Sequence, residues 1–444
     1  MNKTLLLYFW LMLAGMVSTV RGESITLEQA YDRAMETDQS VAIAYTEAAK
    51  ARLESALALT RMTPRLNSGI NTKQNGDLNQ RTAADGSSND AVARTAGLTL
   101  SQPILDFTVR PAYEAGKISA RASMIDYQGK LRDTLLAVAT AYFDVLTQQK
   151  LVAIYRESLR LAKEQEALAT ARKRVGEVLQ TDVLKSNVAV QRAQRTTVEA
   201  ENTLKLRRSI LANILNLGIE AEISVVEPVA FPFIDETLTS TVQRAQRQRE
   251  DLQSATLNID KKVAAHQETK AQYYPLLSAD AGVSRDYADS HSRETNQSNW
   301  RFGFSLSIPW FSGGERDVKL QRAALDITQA KLDQEKVSKA VAENVEEAWL
   351  QVRTLQQNLV GLKVEVASAE ENYRLLQQQY NAGEVKNLDV IQALNDLNTS
   401  RTDLAVQSYQ YELGLRDLAR RTANFEDERV QQALQRRFQK TSKQ

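Results

Sequence analysis

The 444-residue chain contains no cysteine, which excludes disulfides, thiolate metal sites, thiol catalysis and lipid attachment through an N-terminal cysteine. Its two histidines, His266 and His291, are too few for a His-rich metal site, and His291, triad-like in Asp289-Ser290-His291-Ser292, falls in a polar loop without a pocket. No charge of one sign dominates. The 56 basic residues face 55 acidic ones, which argues against nucleic acid as a partner. A glycine-rich phosphate loop is also missing, Gly313-Gly314 being the nearest approach, and no enzymatic activity, cofactor or metal is expected. Prolines number seven and glycines 17, low for this length, while charged residues reach 25%. That composition suits long helices.

Long apolar runs are confined to the N-terminus. Lys3 precedes the 13-residue run Leu5 to Val17, and Val20-Arg21-Gly22 offers small residues for cleavage, so residues 1–22 read as an export signal. The run is short of the roughly 20 residues that a membrane-spanning helix needs. Beyond it no stretch qualifies, so entry into a membrane would require β-strands.

The prolines fall at 64, 103, 111, 228, 232, 275 and 309. Because proline costs about 3 kcal/mol inside a helix, the gaps after Pro111 and after Pro309 are where long helices are permitted. From Glu315 to Ala382 that permission is filled. Val341, Val345, Ala348, Val352, Leu355, Leu359, Leu362, Val366, Ala369, Tyr373, Leu376 and Tyr380 alternate steps of four and three, a heptad seam. A helix of that length is a rod of roughly 100 Å, which predicts an elongated protein.

The chain is internally duplicated. Val175-Gly176-Glu177-Val178 with Asp182 returns 207 positions later as Ala382-Gly383-Glu384-Val385 with Asp389. Ala141-Tyr142 and Val145 return at the same offset as Ala348-Trp349 and Val352. These landmarks define a first repeat (23–217), a connector (218–237) and a second repeat (238–424). A tail (425–444) follows, whose Arg436, Arg437, Lys440 and Lys443 read as a mobile end.

Each repeat holds one strand pair, about 64–103 and about 275–309. Trp300, Phe302, Phe304, Leu306 and Ile308 alternate with Arg301, Gly303, Ser305 and Ser307, and Leu277, Ala279, Ala281 and Val283 alternate with small polar residues. Leu98 and Leu100 alternate likewise with Gly97, Thr99 and Ser101. Strands of about ten residues with one apolar face and aromatic ends (Tyr273, Tyr274, Trp310, Phe311) suit a lipid-facing barrel with a wet interior. The polar stretches Gln74 to Asp90 and Asp286 to Asn299 read as the loops. Four strands cannot close a barrel, and open edges in lipid leave backbone groups unpaired. Two chains would give eight strands around a filled interior; three would give twelve around an aqueous lumen. Three chains also supply twelve helix positions, a ring roughly 38 Å across its axes.

Two turns interrupt the long helices, at 175–181 and 382–388. Gly176 and Gly383 are helix stops, since only glycine adopts the left-handed cap cheaply. Thr181 or Asp182, and Asn387 or Asp389, are acceptors for the orphan N–H groups of the next helices.

This plan resembles the outer membrane efflux proteins of which TolC is the prototype, over essentially all of the chain beyond the signal. Gln102-Pro103-Ile104-Leu105-Asp106 and Ile308-Pro309-Trp310-Phe311-Ser312-Gly313-Gly314 resemble the family's exits from its strand pairs, and the glycine turns resemble its periplasmic tips. Without a lipobox cysteine the chain is similar to the non-lipidated branch. The resemblance implies a mainly α fold with β: two repeats, each a transmembrane strand pair plus a long helical hairpin, assembled as a trimer with a 12-stranded β-barrel and a 12-helix α-barrel. It implies an outer-membrane exit duct reaching into the periplasm, for efflux of small molecules or type I protein secretion. The partners implied are a periplasmic adaptor, an inner-membrane ABC or proton-driven pump, and outer-membrane lipid. By position, Thr181, Asp182, Tyr380 and Asp389 match the family's periplasmic gate, while Val175, Gly176, Ala382 and Gly383 match its adaptor-docking tips. Val385 stands where the prototype has an arginine and Gln392 where it has a second aspartate, so that latch is missing; Lys386 is the neighbouring cation. The alternative reading is a coiled-coil spacer or adhesin stalk with a small β anchor. A duplicated hairpin disfavours it, since a stalk runs in one direction.

Overall fold

The structure, a computed structural model, describes residues 23–75, 91–218, 223–231, 236–290 and 293–441. The expected signal peptide, most of the first polar loop, Pro232, His291 and Lys443 lie outside these. The first repeat runs β1 (Glu23–Ile25), α1 (Leu27–Thr37), α2 (Gln39–Leu59), β2 (Arg65–Asn75), β3 (Ala91–Leu105), α3 (Val109–Arg174) and α4 (Gln180–Ile214). The second runs β4 (Ile223–Val225), α5 (Leu238–Gln248), α6 (Glu250–Ala271), β5 (Leu276–Ser290), β6 (Arg293–Ser307), α7 (Glu315–Ala382) and α8 (Asn387–Arg421), and α9 (Asp427–Thr441) follows. Two helices, two strands, a long helix, a turn and a shorter helix thus occur twice. No described helix is long and apolar enough to cross a membrane.

The elements group into two compact units. One unit, residues 44–127 and 251–338, contains the sheet. Its strands are ordered β2-β3-β5-β6 and every neighbouring pair is antiparallel. The β3–β5 ladder fuses the two strand pairs, setting Leu98 opposite Val283 and Leu100 opposite Ala281. On β6, Trp300, Phe302, Phe304 and Leu306 are exposed along one face, with no helix over them. The segment Asp286 to Asn299, expected as a loop, is largely strand: β5 and β6 each run 15 residues. Ladder hydrogen bonds use only the backbone, so polar side chains on both faces do not end a strand.

The other unit, residues 23–43, 128–250 and 339–441 among those described, is helical around a small parallel β1–β4 pair. The Tyr142 hydroxyl lies 2.8 Å from the Ile25 carbonyl and accepts from the Val226 N–H at 3.0 Å, tying that pair to α3. Along α7 the heptad positions Val341, Val345, Ala348, Val352 and Leu355 are buried, as the periodicity requires. The C-terminal segment departs from expectation. Its residues Phe425, Val430 and Leu434 are buried, and Phe425 packs edge-on against Tyr31 with ring centroids 6.1 Å apart. Arg132 pairs with both Glu250 and Asp427, and Arg420 with Asp133 at 2.7 Å and Glu250 at 3.2 Å. The described part of the tail is therefore a docked helix, with Val430 and Leu434 buried on one face of it.

Candidate functional site: the two helix turns

Both turns end their helices in the same way. At the first, the Gly176 N–H donates to the Lys173 carbonyl and the Glu177 N–H to the Arg172 carbonyl, each at 3.0 Å. At the second, Gly383 donates to Tyr380 at 3.0 Å and Glu384 to Gln379 at 2.9 Å. This paired pattern requires a left-handed residue between the two donors, and Gly176 and Gly383 have φ of 84° and 82°. The following helices differ. The Asp389 carboxylate accepts the Lys386 N–H at 2.9 Å, capping α8, while no side chain caps α4.

The four expected gate residues occupy different environments. Thr181 and Asp389 are exposed, Asp182 is half-buried, and Tyr380 is 2% exposed. Tyr380 lies in an apolar cluster with Ala162, Val190, Tyr373, Val390 and Leu394, against which Val385 also packs. Its hydroxyl has no hydrogen-bond partner among the described residues. Burial raises the ionisation of that hydroxyl above its usual range; the neighbouring Arg172 opposes the rise, and Asp182 and Glu177 add to it. The tip residues Val175, Gly176, Ala382 and Gly383 are all exposed, Val175 at 71%.

Two residues join the turns: Arg172, which has no signal in the sequence, and Asn387, which the sequence offers only as a candidate helix cap. Arg172, in the last turn of α3, sets its guanidinium 4.8 Å from the Tyr380 ring centroid. It donates to the Tyr380 carbonyl and pairs with Glu177 at 2.8 Å. It thereby places a cation at the C-terminal end of α7, where the helix dipole favours one. The second is Asn387, 2% exposed. Its amide donates to the Asp182 carbonyl at 2.9 Å and to Ser186 Oγ at 2.7 Å, and its oxygen accepts from Gln165 Nε2 at 2.8 Å. One side chain thus connects α3, α4 and α8. In the duplicated pattern Arg172 corresponds to Gln379 and Asn387 to Gln180, so the repeat offset does not mark either residue. Lys386 and Gln392 are exposed.

The sequence matches the family described as outer membrane efflux protein twice, over residues 30–217 and 241–424. It is 24% identical over 401 residues to the alkaline protease secretion protein AprF of Pseudomonas aeruginosa, covering 87% of this chain and 82% of that one. It is 24% identical over 426 residues to the outer membrane protein TolC of Escherichia coli, covering 93% and 84%. Its fold is similar to that of the outer membrane channel CmeC of Campylobacter jejuni, with a TM-score of 0.76 at 17% identity over 92% of this chain and 89% of that one. The two family matches together span most of the chain, and their repetition follows the repetition of strands and long helices described above: the protein belongs to the outer membrane efflux protein family.

Proposed function

We propose that the protein is a homotrimeric outer-membrane channel, an exit duct for efflux of small molecules or type I protein secretion, with its helical part reaching into the periplasm. The observation that carries this reading is the pair of sheet edges, β2 and β6, which have no partner strand among the described residues. Strand direction alternates across the sheet, so β6 of one protomer can lie antiparallel beside β2 of the next, and three copies close a 12-stranded barrel. Open edges in lipid would cost several kcal/mol per unpaired backbone group. Exposed apolar stripes support the same assembly: Leu184, Val188, Val198, Leu206 and Ile210 follow one side of α4, and Val318, Leu325 and Leu332 one side of α7. Purified in detergent, the protein is expected to be a trimer that forms pores in planar bilayers. A monodisperse monomer by light scattering would refute the assembly, and a trimer without conductance would favour the stalk.

In this reading the turns lie at the periplasmic mouth. Val175-Gly176 and Ala382-Gly383 dock the adaptor of an ABC or proton-driven inner-membrane pump, which selects the cargo. Thr181, Asp182, Tyr380 and Asp389 form the gate. Tyr380 acts there by holding two turns of one protomer together, while exposed Asp389 forms a three-fold carboxylate ring. At about 10 Å separation and an effective dielectric of 20 to 80, each carboxylate pair repels by roughly 0.4–1.7 kcal/mol, so a cation entering the ring is favoured. A trivalent cation added on the periplasmic side is expected to block single-channel current, less so as salt is raised. Asp389→Asn should weaken that block several-fold. Equal block in both proteins would leave Asp389 as a helix cap alone.

A further inference from the structure

The strand registers sort the residues on the apolar face of the sheet into rows. From the strand ends that join the helices toward the hairpin ends, these rows are Leu277 with Leu306; Ala279 with Phe304; Leu66, Leu100, Ala281 and Phe302; and Ser68, Leu98, Val283 and Trp300. The next row is Ile70, Ala96, Arg285 and Ser298, and the one after it Thr72, Arg94, Tyr287 and Asn296. Arg94 and Arg285 are exposed, on the face that exposes Leu98 and Val283. Through these six rows they are the only cations of the four strands on that face among the described residues. Both fall at the hairpin end.

Their height is set by strand geometry. From Leu277 the Arg285 row is eight residues along β5 and the Tyr287 row ten. At about 3.4 Å per residue and a tilt near 40°, these rows stand roughly 21 and 26 Å above the first. A barrel's apolar band is about 25 Å tall. The arginines therefore lie at the band's margin rather than inside it. Trp300, 80% exposed, sits one row below Arg285, and Tyr287 lies in the row above, as an interfacial girdle requires. The Arg285 Nε donates to Asn296 Oδ1 at 2.9 Å, which turns the guanidinium toward the β6 side of Tyr287. Arg94 pairs with Tyr287 from the β3 side. The two arginines thus stand on adjacent strands beside one tyrosine, their backbones about 8 Å apart at a strand spacing near 4.8 Å and a rise near 3.4 Å per residue.

We propose that Arg94, Tyr287 and Arg285 form a binding site, one per protomer, for the phosphate groups of an anionic outer-leaflet glycolipid. The proposal rests on the reading of this sheet as a lipid-facing barrel wall. Guanidinium groups match phosphate oxygens bidentately, and their apolar stems can lie along the hydrocarbon margin while the heads reach the headgroup plane. The hairpin ends are opposite the strand ends that join the helices, so in this reading the site faces the outer leaflet. There the phosphates of a glucosamine-disaccharide lipid lie at the level of the Arg94 and Arg285 rows. The rival mode is a divalent cation that bridges the lipid phosphate to carboxylates of the chain.

The test uses the full-length protein in neutral detergent, with diphosphorylated lipid A as the probe and its dephosphorylated form as the control. Native mass spectrometry reads trimer mass and bound lipid together. The expected result is retention of up to one diphosphorylated lipid per protomer and little of the control. The Arg94→Gln/Arg285→Gln double variant should need about tenfold more lipid for equal occupancy while remaining a trimer. Equal occupancy in the variant, or loss of binding to the wild type on chelation of divalent cations, would overturn the proposal. Quenching of Trp300 fluorescence by lipids brominated on their acyl chains separates the two levels of the reading. Quenching without phosphate preference rejects the site alone, whereas no quenching rejects the lipid-facing wall as well.

Discussion

Valine at Gly176 or Gly383 is expected to abolish export while trimer levels stay normal, and asparagine at the same positions is expected to preserve it. The reason is the backbone rather than the space. A Cβ built at Gly176 meets no heavy atom within 4 Å, and one at Gly383 meets only Arg172 Nη2 at 3.5 Å, an ordinary contact. Both residues nevertheless hold φ above 80°. An L-residue in that region costs about 1–2 kcal/mol, and a β-branched one more, enough to shift the turn's population tenfold or further. The two hydrogen bonds that close each helix depend on that conformation, so its loss would re-aim the chain into α4 or α8. Asparagine enters the left-handed region readily and should keep both bonds. Export by the assembled machine, adaptor affinity and trimer yield are the three readouts. Wild-type export from both valine variants would remove the turns from the docking surface. Failure of asparagine and valine alike would mean that the partner needs a bare glycine rather than a particular turn.

The second large effect is expected at Asn387. Replacing it with leucine keeps the volume near its original value but leaves Gln165 Nε2, Ser186 Oγ and the Asp182 carbonyl without their shared partner. A buried polar group left unsatisfied costs about 1–3 kcal/mol, so the loss over the Gln165 amide and the Ser186 hydroxyl is roughly 2–6 kcal/mol, the Asp182 carbonyl keeping its bond within α4. That cost falls on the contact between three helices at the turns, and global unfolding should change less than local opening. Hydrogen exchange over residues 180–190 and 380–392 is expected to accelerate about 100-fold, with a higher open probability in single-channel records. Unchanged exchange in that window would show that the apolar cluster around Tyr380 holds the turns without Asn387.

The long helices, their turns and the strand faces were legible because each is a one-dimensional signal. A proline-free interval, a seam of steps of four and three and an isolated glycine mark α7 from Glu315 to Ala382 without knowledge of its neighbours. The same holds for Phe302, Phe304 and Leu306, whose alternation assigns one face to lipid wherever the strand sits. The strand ends were less legible, since the alternation stops at the margin of the apolar band while the backbone ladder continues through Arg285 to Ser290. The tail was obscured by its basic composition, although Val430 and Leu434 stand four apart on one face of its helix.

By itself the sequence determined where the long helices run and turn, which strand face is apolar, and that the unit occurs twice. These depend on propensity, period and backbone permission within a few neighbouring residues. Only the tertiary structure decided that β3 pairs with β5, that Arg172 crosses to the Tyr380 ring, and that Asn387 bonds to Gln165, Asp182 and Ser186. Those contacts join positions some 200 residues apart, and many polar side chains on a helix surface could form bonds of that kind. Which of them meet depends on how the packed helices and the strand register bring their backbones together, and neither is written in the residues beside them.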